Sequence, residues 1–136
     1  IYGELNAFSP SEAAQLVRKA HAALKKGGQL LLEVHPYSAI YRIGHDGRSW
    51  YTAESGLFSD DPFVCLSESE FEVDHAVSHY YVYLATGEMQ QYVSMHQAYT
   101  DDDYRHLLAD FEQVTFYPRL DGGAETDNLF VIVAEK

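Results

Sequence analysis

Of the residues whose types could do chemistry, the best placed stand at the ends of short apolar runs. His35 closes Gln29 to His35, where Leu30, Leu31, Leu32 and Val34 crowd together. An imidazole there suits a general base or a substrate contact, because its charge changes near neutral pH. A structural histidine bonded to a backbone carbonyl meets the same pattern. Glu33 lies inside that run and could orient a substrate or pair at the rim of a sheet. Glu4 follows Tyr2-Gly3 and could hold an amine, act as a base or sit on the surface. Gly3 would allow a ligand close to the backbone, or simply turn the chain. Trp50, Tyr51 and Phe58, with Glu54 among them, could favour a cation through ring faces and charge. A hydrophobic cluster under a loop explains them equally. Tyr81 and Tyr99 belong to a set of alternating tyrosines that ordinary sheet packing also produces. The seven His residues show no metal-ligand spacing; His75 and His79 fall on a turn and a strand. The single Cys65 has no basic neighbour to activate it as a nucleophile.

The elements that must position these groups are legible in part. Ser9, Pro10 and Glu12 form an N-terminal capping signature. Ala13, Leu16, Val17, Ala20 and Leu24 then make one apolar stripe, so a helix is expected from about Pro10 to Lys26. Lys25 and Lys26 suit its negative end, and Gly27-Gly28 stop it. The buried run after the glycines reads as a strand covered on both faces, as in a parallel sheet. A short helix is expected from Pro36 to Gly44, then a long aromatic loop to Pro62. Phe63 to Val73, Ala76 to Ala85 and Met89 to Tyr99 read as three strands of an antiparallel meander, with a turn at Asp74-His75. Thr100 and Asp103 cap a second helix, and Gln113 to Tyr117 and Leu129 to Ala134 are the last strands, around a Gly122-Gly123 loop.

Charge and composition narrow the function. The 136 residues carry a net charge of −12, with no Lys or Arg between Ser49 and Tyr104. Such a surface repels phosphate backbones and anionic lipid, so neither nucleic acid nor a membrane is an expected partner. No apolar run is long enough to span a bilayer. One cysteine fits a reducing compartment, and a cytoplasmic protein is expected. The first residue is Ile, which suggests part of a longer protein.

The ordered elements, and the segments that carry them, resemble the C-terminal half of class I S-adenosylmethionine-dependent methyltransferases. AHAALKKGGQLLLEV is similar to that family's long helix, glycine turn and fifth strand, with Lys26 where Pro is commoner. YGELNAFSP resembles the segment after the fourth strand. SWYTAESGLFSDDP, the meander, QAYTDDDYRHLLADF and VTFYP resemble a subgroup with a substrate-covering insertion after the fifth strand, with Asp110-Phe111 where Gly-Phe is usual. The resemblance implies an α/β fold: a partial Rossmann-like sheet (its second half) with an inserted antiparallel β-meander. Its parts would be an α/β unit over 1–44, a substrate-side loop and meander over 45–99, and a helix with an antiparallel strand pair over 100–136.

It also implies methyl transfer from S-adenosylmethionine to a small-molecule acceptor. His35 and Glu4 would be catalytic, and Tyr2, Gly3 and Leu5 would face the cofactor. Glu33, Tyr37, Trp50, Tyr51, Glu54, Phe58, Tyr81 and Tyr99 would face the acceptor. The glycine-rich loop that holds most of the cofactor has no counterpart here, so this half alone should be inactive. The competing expectation is a non-enzymatic α+β module for dimerisation or ligand binding, and open sheet edges leave homo-oligomerisation as a further expectation.

Overall fold

A computed structural model describes residues 3–118 and 128–136; Tyr2 and the Gly122-Gly123 loop lie outside the described residues. The chain divides into two compact units, one of residues 1–40 with 96–136 and one of residues 41–95.

In the first unit, a short 3-10 helix (Glu4–Ala7) precedes helix α1 (Pro10–Ala23). The capping box at α1 is complete: Ser9 N donates to Glu12 Oε2 at 3.0 Å, and Glu12 N donates to Ser9 Oγ at 3.4 Å. The helix ends three residues before the expected Lys26. Its open carbonyls are met from far along the chain, where Lys136 Nζ donates to His21 O (2.6 Å) and Leu24 O (2.8 Å). Lys25 and Lys26 therefore lie beyond the helix end. Gly27 turns the chain at φ 75°, a conformation that favours glycine.

Strand β1 (Gln29–Val34) follows, and its described partner is antiparallel β7 (Phe130–Glu135), with Leu32 opposite Ile132. Strand β6 (Gln113–Tyr117) pairs with the other edge of β7, giving the order β1-β7-β6. Both flanking strands are antiparallel to β7, so β1 and β6 run the same way. Helix α3 (Asp101–Leu107) carries the expected Thr100–Asp103 capping box. Leu5, Val17, Leu32, Val34, Tyr104, Leu108 and Ile132 form one buried core.

Helix α2 (Tyr37–Gly44) runs from the first unit into the second. Within the second unit lies a four-stranded antiparallel sheet, β2 (Arg48–Ala53), β3 (Phe63–Glu72), β4 (His75–Leu84) and β5 (Met89–Gln97, whose last two residues belong to the first unit). Strand β2 lies inside the segment expected to be loop. The hairpin turn falls at Val73-Asp74, with Glu72 opposite His75 and Val73 at φ 53°. Phe63, Cys65 and Val82 are buried on one face of this sheet, packed by Phe58 and Tyr80.

Gly44 closes α2 against β3. A Cβ there would lie 2.6 Å from Phe71 Cβ and 2.9 Å from Phe71 Cα. Ala is the better helix former by about 1 kcal/mol, but backbone that cannot retreat reverses the sign. Gly44→Ala is expected to lower stability by about 1–3 kcal/mol in chemical denaturation; a stabilised variant would show that the contact yields freely.

Candidate functional site

The carboxyl end of β1 carries the densest polar arrangement of the first unit. Asn6, fully buried at the 3-10 helix, holds three segments at once. Its Nδ2 donates to Gln97 O (2.8 Å) and to Tyr104 Oη (3.0 Å), and its Oδ1 accepts from His35 N (3.1 Å). Tyr104 Oη donates in turn to His35 O at 2.8 Å. Both backbone polar groups of His35 are thus fixed by buried side chains. Burial pushes the Tyr104 phenol above its usual range, so it stays a neutral donor.

The imidazole of His35 is oriented too. Its Nδ1 lies 2.5 Å from Asn128 O, and a carbonyl oxygen only accepts, so Nδ1 carries the hydrogen. The unprotonated nitrogen of the neutral ring is then Nε2. That atom faces Gly3, where a Cβ would lie only 2.9 Å from it. Gly3 sits at φ 62°, and its N–H donates to Glu33 O at 2.7 Å. Nε2 therefore faces a narrow notch, tighter than a methyl group needs, that exists because residue 3 lacks a side chain.

A second imidazole stands within electrostatic reach. His96 is half-buried, and its Nδ1 has no hydrogen-bond partner among the described residues. Burial, then the charge His35 gains on protonation, hold the His96 pKa below the ordinary histidine value. In the unfolded chain His96 takes up a proton near about pH 6.5, whereas the folded chain resists until the pH is lower. The unfolded state binds more protons in that window, so stability is full above it and is lost as pH falls through it. Melting temperatures between pH 7.5 and 5.5 are expected to fall more steeply for the native chain than for His96→Gln; equal slopes would remove His96 as the source.

The sequence-derived candidates divide between the two units. Gly3 and His35 meet directly, and Glu33 joins them through its backbone carbonyl while its side chain is partly exposed. Glu4 is exposed on the 3-10 helix, and Leu5 commits its side chain to the core, leaving only backbone for a ligand. Tyr37 opens α2 and is partly exposed. Tyr99 is buried with its ring 5.2 Å from that of Tyr104.

In the second unit Phe58 packs among Phe63, Tyr80 and Tyr92, with ring centroids 5.0–6.0 Å apart. Tyr51 meets Phe63 edge-on at 6.0 Å on that same face. Trp50 projects to the opposite face, because neighbours in a strand alternate, so it shares no cage with Tyr51 and Phe58. Glu54 is exposed, and Tyr81 donates to Glu68 Oε1 at 3.2 Å. Asn6, His96 and the Tyr104 hydroxyl were not singled out from sequence. The signal available for Asn6 was its place two residues after Glu4 in YGELN. Among the described residues no group of three or more His, Cys, Asp or Glu side chains could hold a metal.

Solved structures place this architecture. The CcbJ methyltransferase from Streptomyces caelestis superposes with a TM-score of 0.68 at 16% identity, over 98% of this chain and 57% of its own. An S-adenosylmethionine-dependent methyltransferase from Clostridium acetobutylicum gives 0.67 at 13%, over 98% and 55%. The sugar N-methyltransferase KedS8 from Streptoalloteichus gives 0.65 at 23%, over 100% and 54%. No protein-family model matches the sequence, and neither does any curated protein. The likeness defines the class of fold: a mixed α/β, Rossmann-like methyltransferase architecture, of which this chain spans about half the length of the structures it matches.

Proposed function

We propose that this chain forms the acceptor-side half of an S-adenosylmethionine-dependent methyltransferase that methylates the amine of a small molecule. The observation that carries the reading is His35, held by its backbone and its ring at a strand end with Nε2 facing the Gly3 notch. In open α/β sheets that strand end is where ligands gather. S-adenosylmethionine supplies a methyl group on a cationic sulfur, and a neutral amine lone pair displaces it in line. Ammonium ions have no such lone pair, so the acceptor needs a proton acceptor at hand. His35 Nε2 takes that proton, Glu4 and Glu33 favour the cationic acceptor, and neutral His96 adds no opposing charge.

The residues present fit one wall of a cofactor pocket. The Gly3 notch allows close backbone approach, but no glycine-rich loop opens a helix among the described residues, so most of the cofactor's contacts must come from elsewhere. The 136-residue chain alone is accordingly expected to be inactive. Two of the similar structures, KedS8 and the amino pentose methyltransferase CalS10 from Micromonospora echinaspora, suggest an amino sugar as the first acceptor to try. Apolar side chains exposed on the strands of the second unit, Trp50 at 72% foremost, favour the second reading, a non-enzymatic association module. Calorimetric titration with S-adenosylmethionine separates the two. Binding by the complete protein, with methyl transfer to an amino sugar, is the expected result; a complete protein that binds none would leave the module.

A further inference from the structure

One side chain reaches both anchors of His35. Tyr104 is fully buried, and its hydroxyl donates to His35 O at 2.8 Å while accepting from Asn6 Nδ2 at 3.0 Å. Its ring meets that of Phe130 edge-on, with centroids 5.6 Å apart and planes at 82°. Phe130 opens β7 directly opposite Val34, the residue before His35. Two residues ahead of Phe130 stands Asn128, whose carbonyl holds the His35 ring. The hydroxyl therefore fixes the peptide of the base. The ring fixes the strand start from which the imidazole's partner hangs. The phenol is itself held by helix α3, whose Thr100–Asp103 box caps the turn it belongs to, and by the Tyr99 ring at 5.2 Å.

The structure assigns Tyr104 a positioning role: it braces the end of β1 against the start of β7, so that His35 keeps its hydrogen on Nδ1. A neutral imidazole carries one hydrogen, and the nitrogen with the fixed acceptor keeps it. With Asn128 O in place, Nδ1 holds the hydrogen and Nε2 keeps its lone pair towards the Gly3 notch. An N–H···O bond weakens steeply as it bends. A small slip of Asn128 against His35 would let the hydrogen move to Nε2, and the lone pair facing the notch would be gone. The edge-to-face ring pair resists such a slip, because aromatic pairs have a preferred geometry. Burial keeps the phenol neutral, so it still donates to His35 O wherever the imidazole is neutral. The role in turnover rests on His35 being the base of the proposed methyl transfer, whereas the tautomer can be read without any activity.

Nitrogen-15 spectra of the complete protein with labelled histidine, at about pH 8.5 where imidazoles are neutral, separate protonated from unprotonated ring nitrogens. The His35 signals are those missing from His35→Ala. Native His35 is expected to favour the Nδ1–H form by about tenfold, the worth of one hydrogen bond. Tyr104→Phe and Phe130→Leu should each cut that ratio about threefold or more, drawing the two nitrogen shifts together. Turnover of an amine acceptor should fall about tenfold in both. Val17→Ala, in helix α1 of the same core, should cost stability and leave the ratio as it is in the native protein. If Tyr104→Phe loses its far-UV circular dichroism, Phe130→Leu decides alone. Native ratios in both variants would overturn the inference. So would a ratio that falls as far in Val17→Ala, since general loosening would then be the cause. If the ratio shifts as expected while His35→Ala keeps full turnover, the brace stands and the choice of His35 as base fails.

Discussion

Asn6→Ala is expected to be the most destabilising single substitution at the β1 end, at about 3 kcal/mol, or roughly 10 °C in melting temperature. The argument is one of stranded partners rather than lost contacts. The Asn6 amide is fully buried and serves Gln97 O, Tyr104 Oη and His35 N, and each loses that partner once it is gone. Each buried group left unpaired costs about 1–3 kcal/mol, less than additively where the network can relax. Tyr104→Phe removes one hydroxyl and leaves His35 O and the Asn6 amide short of one bond each, so about 1.5 kcal/mol is expected. The double variant should fall short of the sum, because both side chains belong to one network. Urea denaturation decides it: a loss below about 1 kcal/mol for Asn6→Ala would mean that the three partners find others.

That network shows where sequence reading stops. The helices were legible because their signals are local: Ser9 with Glu12 and Thr100 with Asp103 lie three residues apart, and both boxes form. Strand β1 and the pair β6 and β7 were legible for the same reason, as short apolar runs bounded by turns, although β1 is not covered on both faces as expected, Leu31 being 42% exposed. Partners lay out of reach. Asn6 and Tyr104 are 98 residues apart, and Lys136 caps α1 from 115 residues beyond His21. Strand β2 was hidden for a different cause: nearly all of its residues are exposed on both faces, so no burial period marks it. The turn after β3 carries Val73 at positive φ, a conformation β-branched residues rarely adopt, so Asp74-His75 read as the better turn. At the site, His35 and Gly3 could be named as candidates one by one, but the notch between them exists only once β1 has been laid beside the 3-10 helix.

His35→Ala in the complete protein is expected to lower turnover of an amine acceptor by about 10²–10⁴-fold, the usual worth of a positioned general base. Gly3→Ala tests the same nitrogen from the other side. Its new Cβ would stand 2.9 Å from Nε2, close enough to fill the notch and push the ring aside. Because the obstructed atom is the end of a side chain, stability should suffer little beyond the strain of φ 62° on a residue with a Cβ, about 1 kcal/mol. Turnover should fall about tenfold or more, as expected when a positioned group is displaced by an ångström. The double variant carries the discrimination. If residue 3 acts through His35, Gly3→Ala adds nothing once the imidazole is gone, and the double variant matches His35→Ala. If the two losses instead multiply, Gly3 serves a ligand in its own right, and the notch belongs to the cofactor or acceptor rather than to the base.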